Sequence, residues 1–425
     1  MRITVIAAGA TAALALGGLA LASPSVASAK SQHTSPAQVL VWNDIAVNAG
    51  LAATQTNQEA IMRLAYLQAA VFDAVDAVDG GFRPYVGHLE AHGNTDGDAA
   101  VAAAAYHILV AQFPAQQMPL HAIYTTALAG ISDGPGKARG VALGEKAAAD
   151  VEAARAHDGF QANVPYTFGS GPGAWILPTD NPATAPATPW AAKMTPFIMR
   201  EADQYRPGPP PPLTSAAYTA SYNETKDYGS KDSLARSPEQ TKTALFWGLA
   251  KPAAQYNSGI RDLVTTHGLN RVEAARALAF TNLVAADAFI ACFDGKYTYS
   301  AWRPYTAIRA GDTDGNPATL ADPHWTPLVP TPNHPEYPAN HSCVTTSFAI
   351  TVDNLLGPTH FSITVPNAPT NTEARHYASS TELITEIANA RIWDGVHFRF
   401  STDAGTVIGR AVAHYDYHHA LQPDD

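Results

Sequence analysis

The chain has 425 residues, 46% hydrophobic and 15% charged, a balance that excludes a disordered polyelectrolyte and supplies enough apolar material for a large core. Its formal net charge of −11 argues against a general electrostatic hold on nucleic acid or anionic lipid, while leaving room for a local anion site. Two cysteines are too few to build a disulfide scaffold, so the core must carry the fold.

Met1 and Arg2 open the chain, an apolar run follows over residues 3–22, and Ala27-Ser28-Ala29 has the small-x-small form of a signal-peptidase site. Residues 1–29 are therefore expected to be a cleaved signal peptide and the protein to be secreted. No later segment is expected to be long and apolar enough to span a bilayer. Export permits one disulfide between Cys292 and Cys343, and the sequence leaves bridged and free thiols equally open.

Apolar residues at intervals of three and four predict a helix over 58–79, and alanine-rich stretches predict helices over 98–113, 119–129 and 137–157. These make an N-terminal helical half over 30–165. Residues 166–213 break into Gly and Pro, including the run 209–212, which disfavours helix. That connection also carries Trp175, Trp190 and Phe197, so it is expected to pack across the body. Helical pattern resumes over 215–228, 241–248 and 252–267. Asn270 is a candidate cap for a long apolar helix over 272–293, and further helices are expected over 340–356, 380–393 and 402–419. The fold class is all-α, built of helical bundles, with 214–425 as a C-terminal catalytic half and the two halves forming one compact domain.

Three clusters in the last third carry the chemistry. Lys296 precedes Arg303-Pro304 by seven residues, just after the long helix. His334-Pro335-Glu336-Tyr337-Pro338-Ala339-Asn340-His341 runs from a proline-stopped loop into a predicted helix start, where free N–H donors and the positive end of the helix dipole favour an anion. Arg391 and His397 stand six apart with a glycine between them. Each cluster alone is an ordinary surface or packing feature. Together they offer three fixed cations and two imidazoles to one tetrahedral oxyanion. No HExxH, Walker loop or GxSxG is present, and the histidines near the C terminus (His414, His418, His419) sit where a solvated role is the simpler one.

Lys-x6-Arg-Pro, Pro-x-x-His and Arg-x5-His in this order resemble the vanadium-dependent haloperoxidases and the type 2 phosphatidic acid phosphatase superfamily, over about residues 285–404. The resemblance implies an all-α fold with vanadate as cofactor, for which phosphate would compete. It implies that Lys296, Arg303 and Arg391 hold the non-axial oxygens, that Lys296 also polarises bound peroxide, that His397 is the axial ligand to vanadium, and that His341 is the acid–base group at the opposite apex. A cation about 4 Å from such an anion contributes up to about 4 kcal/mol at an effective dielectric near 20, before desolvation. The reaction implied is oxidation of halide by hydrogen peroxide, with a small organic acceptor taking up the oxidised halide. The alternatives are an acid phosphatase working through a phosphohistidine at His397, and a non-catalytic oxyanion-binding protein. A homo-oligomer stays open.

Two departures stand out. The usual Ser-Gly before the first histidine is Ala339-Asn340, so Asn340, through its backbone N–H and amide, is the expected substitute for a missing hydroxyl. The carboxylate often found four residues after the second histidine is Ser401, which leaves Asp403 as the expected group orienting that ring. His334 stands where algal bromide users have a histidine and fungal chloride users an aromatic residue, which leans towards bromide and iodide; simple packing in the loop is the alternative.

Overall fold

The computed structural model describes residues 34–249, 251–363 and 374–424; the expected signal peptide lies outside the described residues. Thirteen α-helices are found among the described residues: α1 (Ala37–Ala52), α2 (Asn57–Asp79), α3 (Gly97–Gln112), α4 (Gln117–Ala129), α5 (Pro135–Arg155), α6 (Ala216–Gly229), α7 (Pro238–Leu249), α8 (Pro252–Thr266), α9 (Arg271–Tyr299), α10 (Pro304–Arg309), α11 (Asn340–Leu356), α12 (Ser380–Trp393) and α13 (Arg399–His419). The fold is all-α as expected. Among the described residues the strands are a short antiparallel pair, β1 (Phe361–Ile363) with β2 (Arg375–Tyr377), in register Phe361 to Tyr377.

Helix starts follow local chemistry. Thr56 and Glu59 close a reciprocal capping box at the head of α2, and Asn270 and Glu273 do the same for α9, each satisfying donors that the first turn leaves free. The sequence pattern missed α1 because its inward face carries a polar residue: Asn43 is fully buried and its amide donates to Asn257 Oδ1 of α8 at 2.7 Å.

Helix α9 is the axis of the molecule, packed against α2, α8, α11 and α13. It corrects two expectations. By length and composition it is apolar enough to cross a membrane, so the expectation that no such segment follows the expected signal peptide fails; its apolar window is wholly buried by protein. It also runs six residues beyond the predicted end, so that Lys296 lies inside its last turns and not after it. Gly295 permits this extension. A Cβ there would come within 2.9 Å of the Pro338 ring, so the loop carrying the second cluster can cross the helix closely.

Residues Ser35–Asp425 form one compact unit. The proline-rich connection packs onto α9 as expected: Trp175 is fully buried, and the backbone N–H groups of Phe197, Ile198 and Met199 all donate to Asp287 of α9 at 2.6–2.7 Å. On the other side, α13 meets α11 almost backbone to backbone. A Cβ at Gly405 would lie 2.5 Å from Ala339 O, and one at Gly409 would lie 2.2 Å from Cys343 O. Cys292 and Cys343 are both buried free thiols; burial and the neighbouring Cys292 thiol push Cys343 well above the usual thiol range.

Asp416 of α13 is fully buried, neither of its carboxylate oxygens has a partner, and burial with Asp287 nearby holds it well above the usual carboxylate range. A carboxyl raised in the folded state adds stability that is complete in acid and is lost as pH rises above its unfolded value near 3.9. Asp416→Asn removes that dependence. Relative to the parent, the variant's Tm should therefore rise by several degrees between pH 5 and pH 8; thermal melts at the two pH values check this.

Candidate functional site

The three sequence clusters converge. Lys296 is fully buried and its ammonium donates to Pro335 O and Glu336 O, both at 2.9 Å, leaving one N–H uncommitted. Burial brings its pKa down to about 7. Arg303, the residue preceding α10, is also fully buried; its Nε donates to His334 O at 2.8 Å and its Nη1 to Val396 O at 2.9 Å. Burial lowers it to about 10. Arg391, in the last turn of α12, pairs with Asp394 and keeps a buried Nε without a partner.

His397 is 1% exposed and lies between two groups that fix its protonation. A guanidinium can only donate, so Arg303 Nη1, 3.3 Å from His397 Nε2, requires a lone pair on Nε2. The ring proton is then on Nδ1, 2.8 Å from Glu336 Oε1, which also accepts from the backbone N–H of Phe398 at 3.0 Å. Burial, then the nearby Arg303 and Lys296, hold His397 far below the usual imidazole range, so it is neutral, with its Nε2 lone pair turned to Arg303 Nη1. Thr225 Oγ1 donates to its backbone carbonyl at 3.0 Å.

His341 is the second residue of α11 and half-buried, with Nε2 closed to solvent and unpartnered. Burial, followed by Arg391, Lys296 and Arg303, depresses its pKa; all three cations therefore act on the same ring. Ala339 occupies the N-cap of α11 and offers no side-chain cap, which leaves the first-turn N–H groups available to an anion. Asn340 stands at that start with its Oδ1 unpartnered.

His334 is 6% exposed, accepts from Arg303 Nη2 at Nδ1 (2.9 Å) and lies 5.1 Å from the Phe293 ring. It is part of the cation cluster and not merely loop packing. The expected orienting role of Asp403 is corrected: that residue is exposed on α13, beside Arg399 and Glu224. The orienting carboxylate is Glu336, fully buried and pushed up to about 7 by burial. It sits inside the quoted loop motif, five residues before His341, and nothing in sequence spacing says which ring a loop carboxylate will reach. Asp394, raised to about 7 by burial, was likewise missed. Its carbonyl accepts from Leu328 N at 3.1 Å, which ties the end of α12 to the 310–338 loop.

The buried site thus holds three cations against two carboxylates, both biased by burial towards neutrality. A bound anion would close that imbalance and restore charge on Lys296. Residues 276–423 match the VCPO second helical-bundle domain. The C-terminal bundle is therefore similar to that domain. A vanadium chloroperoxidase from Curvularia inaequalis is 24% identical over 52% of this chain and 47% of its own, so the chain spans about half the length of that relative. Among solved structures, the first bacterial vanadium-dependent iodoperoxidase aligns over 92% of this chain and 98% of its own, with a TM-score of 0.80 and 20% identity. An apo-type bacterial vanadium-dependent chloroperoxidase aligns over 84% and 92%, with a TM-score of 0.68 and 15% identity. The chain therefore has the vanadium haloperoxidase fold.

The donor set suits a tetrahedral oxyanion such as vanadate: the free Nε of Arg391, the uncapped start of α11 and the unpartnered His341 Nε2 are unspent within the protein, and the lone pair of His397 Nε2 is met by Arg303 Nη1 at 3.3 Å, a long contact that a bound anion would replace. Glu336→Gln keeps an acceptor near Nδ1 but not the charge that sets the ring's tautomer. It should weaken orthovanadate binding by about 10–100-fold, measured by calorimetry, with the helical circular dichroism unchanged.

Proposed function

We propose that this chain is an exported vanadate-dependent haloperoxidase that oxidises bromide or iodide with hydrogen peroxide and passes the oxidised halide to small organic acceptors. The observation that carries the reading is the buried excess of cations, Lys296, Arg303 and Arg391 against Glu336 and Asp394, around a His397 Nε2 held as a lone pair. The signal-like first 29 residues support export.

Vanadate, when bound, supplies Lewis-acid activation of peroxide. The chain's own part is electrostatic and positional. His397 Nε2 would be the nitrogen donor to bound vanadate, its ring fixed by Glu336. Arg303 and Arg391 hold anionic oxygens, and Lys296 directs its remaining N–H at them. His341 Nε2, neutral and unpartnered at the helix start, takes up the proton of an incoming peroxide and returns one to a departing oxygen. His334, bonded to Arg303, places an imidazole where an aromatic ring would otherwise exclude polar contacts, which supports the bromide and iodide preference.

The deciding experiment is bromination of a dye by purified protein with peroxide and bromide, in phosphate-free buffer, before and after loading with orthovanadate. Activity should appear only after loading. His397→Ala should abolish it together with vanadate binding, whereas His341→Ala should retain binding and lose about 10²–10⁴ in rate. Ala339→Ser, which adds one donor at the head of α11, should tighten vanadate binding by up to about tenfold. Hydrolysis of an aryl phosphate without bromination would replace this reading with the phosphatase, and oxyanion binding without any turnover would replace it with a binding protein.

A further inference from the structure

A cavity of about 350 Å3 opens between α2, α3 and α5 of the N-terminal half, lined by Arg63, Gln112 and Glu152 over an apolar floor of Ile108, Val151 and Phe160. Its volume is at the low end of the range for small-molecule pockets, about 300–1,000 Å3. Part of its polar wall is already spent within the protein. Arg155 donates to Asp158 Oδ2 at 2.9 Å, Pro196 O at 2.8 Å and Thr195 O at 2.6 Å. Asp158 also accepts from Tyr66 Oη at 2.6 Å and from the Phe160 backbone N–H at 2.9 Å.

Arg63 differs. Its guanidinium carbon lies 4.8 Å from the Phe113 centroid and 5.8 Å from that of Phe160, so two aromatic rings hold the planar group in place. Among the described residues it makes no ion pair and donates no hydrogen bond; Glu59 and Tyr66 act on it only through space. The Glu59 carboxylate is committed elsewhere, accepting from Thr56 N and Thr56 Oγ1 at 2.9 Å each and from Gln161 Nε2. Arg63 Nε is shut from solvent, which leaves the two Nη groups as its donors to the cavity. Glu152 is exposed on α5 and, among the described residues, has neither an ion pair nor a hydrogen bond; His107, which acts on it through space, is turned to Glu145 at 3.4 Å. Gln112 gives its Nε2 to Arg63 O at 3.1 Å and keeps its Oε1 as an acceptor.

One cavity therefore presents a cation and a carboxylate that do not pair with each other, above apolar side chains. A simple anion would suit Arg63 and be repelled by Glu152, a simple cation the reverse, and a neutral ligand would leave both unmatched. A zwitterion matches both: a planar carboxylate fits the fork of a guanidinium, and an ammonium, with three donors, needs acceptors such as a carboxylate and an amide oxygen. We propose that this cavity binds a free α-amino acid with an apolar side chain, its carboxylate on the Nη groups of Arg63, its ammonium on Glu152 and Gln112 Oε1, and its side chain against Ile108, Val151 and Phe160. The site shares no residue with the oxyanion site and needs neither vanadate nor halide, so it stands or falls separately from the haloperoxidase reading.

Calorimetric titration of the purified full chain with L-phenylalanine, with and without orthovanadate and without peroxide, tests the site. Saturable one-to-one binding is expected in both conditions. 3-Phenylpropanoate, which lacks the ammonium, and 2-phenylethylamine, which lacks the carboxylate, should each bind at least about tenfold more weakly. Arg63→Gln should weaken L-phenylalanine at least about tenfold and leave 2-phenylethylamine unchanged, whereas Glu152→Gln should weaken L-phenylalanine and not 3-phenylpropanoate. Absence of saturable binding up to millimolar L-phenylalanine would overturn the proposal. Equal affinity for L-phenylalanine and either analogue, or unchanged binding in a folded Arg63→Gln, would overturn it as well. Should Arg63→Gln fail to fold, the exposed Glu152→Gln and the two analogues carry the test.

Discussion

Placing three fixed cations inside a helical protein is the constraint around which the rest of the C-terminal bundle is arranged. Lys296, Arg303 and Arg391 are each at most 2% exposed, and a buried charge is tolerated only when other groups replace its lost hydration. Much of that replacement comes from backbone: Pro335 O and Glu336 O for Lys296, His334 O and Val396 O for Arg303. These carbonyls belong to the two segments that carry His341 and His397. The groups that solvate the cations therefore also set the positions of the imidazoles, and the site is one hydrogen-bonded object and not a set of independent residues.

Close helix packing makes that object rigid. Gly295 lets the 335–338 loop lie against α9, and Gly405 and Gly409 let α13 touch the backbone of α11. Ala339 is accordingly fully buried at the head of α11, with its N–H on Ser401 O at 3.0 Å. The absent serine hydroxyl is thus a local change in an otherwise fixed helix start, whose free N–H groups remain directed by the helix itself. Glu336 stands at the junction: its Oε1 accepts from both the His397 ring and the backbone N–H of Phe398.

The helical fold was legible because alanine content and three-to-four spacing are local signals. Asn270 marked the start of α9 correctly. The misses share a cause. α1 was hidden by a buried asparagine whose partner is more than 200 residues away. The end of α9 was misplaced because its apolar pattern stops at Phe293, whereas the helix continues to Tyr299 with Gly295 against the Pro338 ring. Asp403 was expected to orient His397 because spacing along the chain was the one guide to which carboxylate meets which ring.

The sequence by itself determined the helical class and the identity and order of Lys296, Arg303, Asn340, His341, Arg391 and His397, since side-chain charge and periodicity are properties of the chain. Only the tertiary structure decided that Glu336 holds His397, that His334 joins Arg303 and that Cys292 and Cys343 are free thiols. Those outcomes depend on which buried polar atoms come within about 3 Å of one another, and that is fixed by packing between segments far apart in the chain.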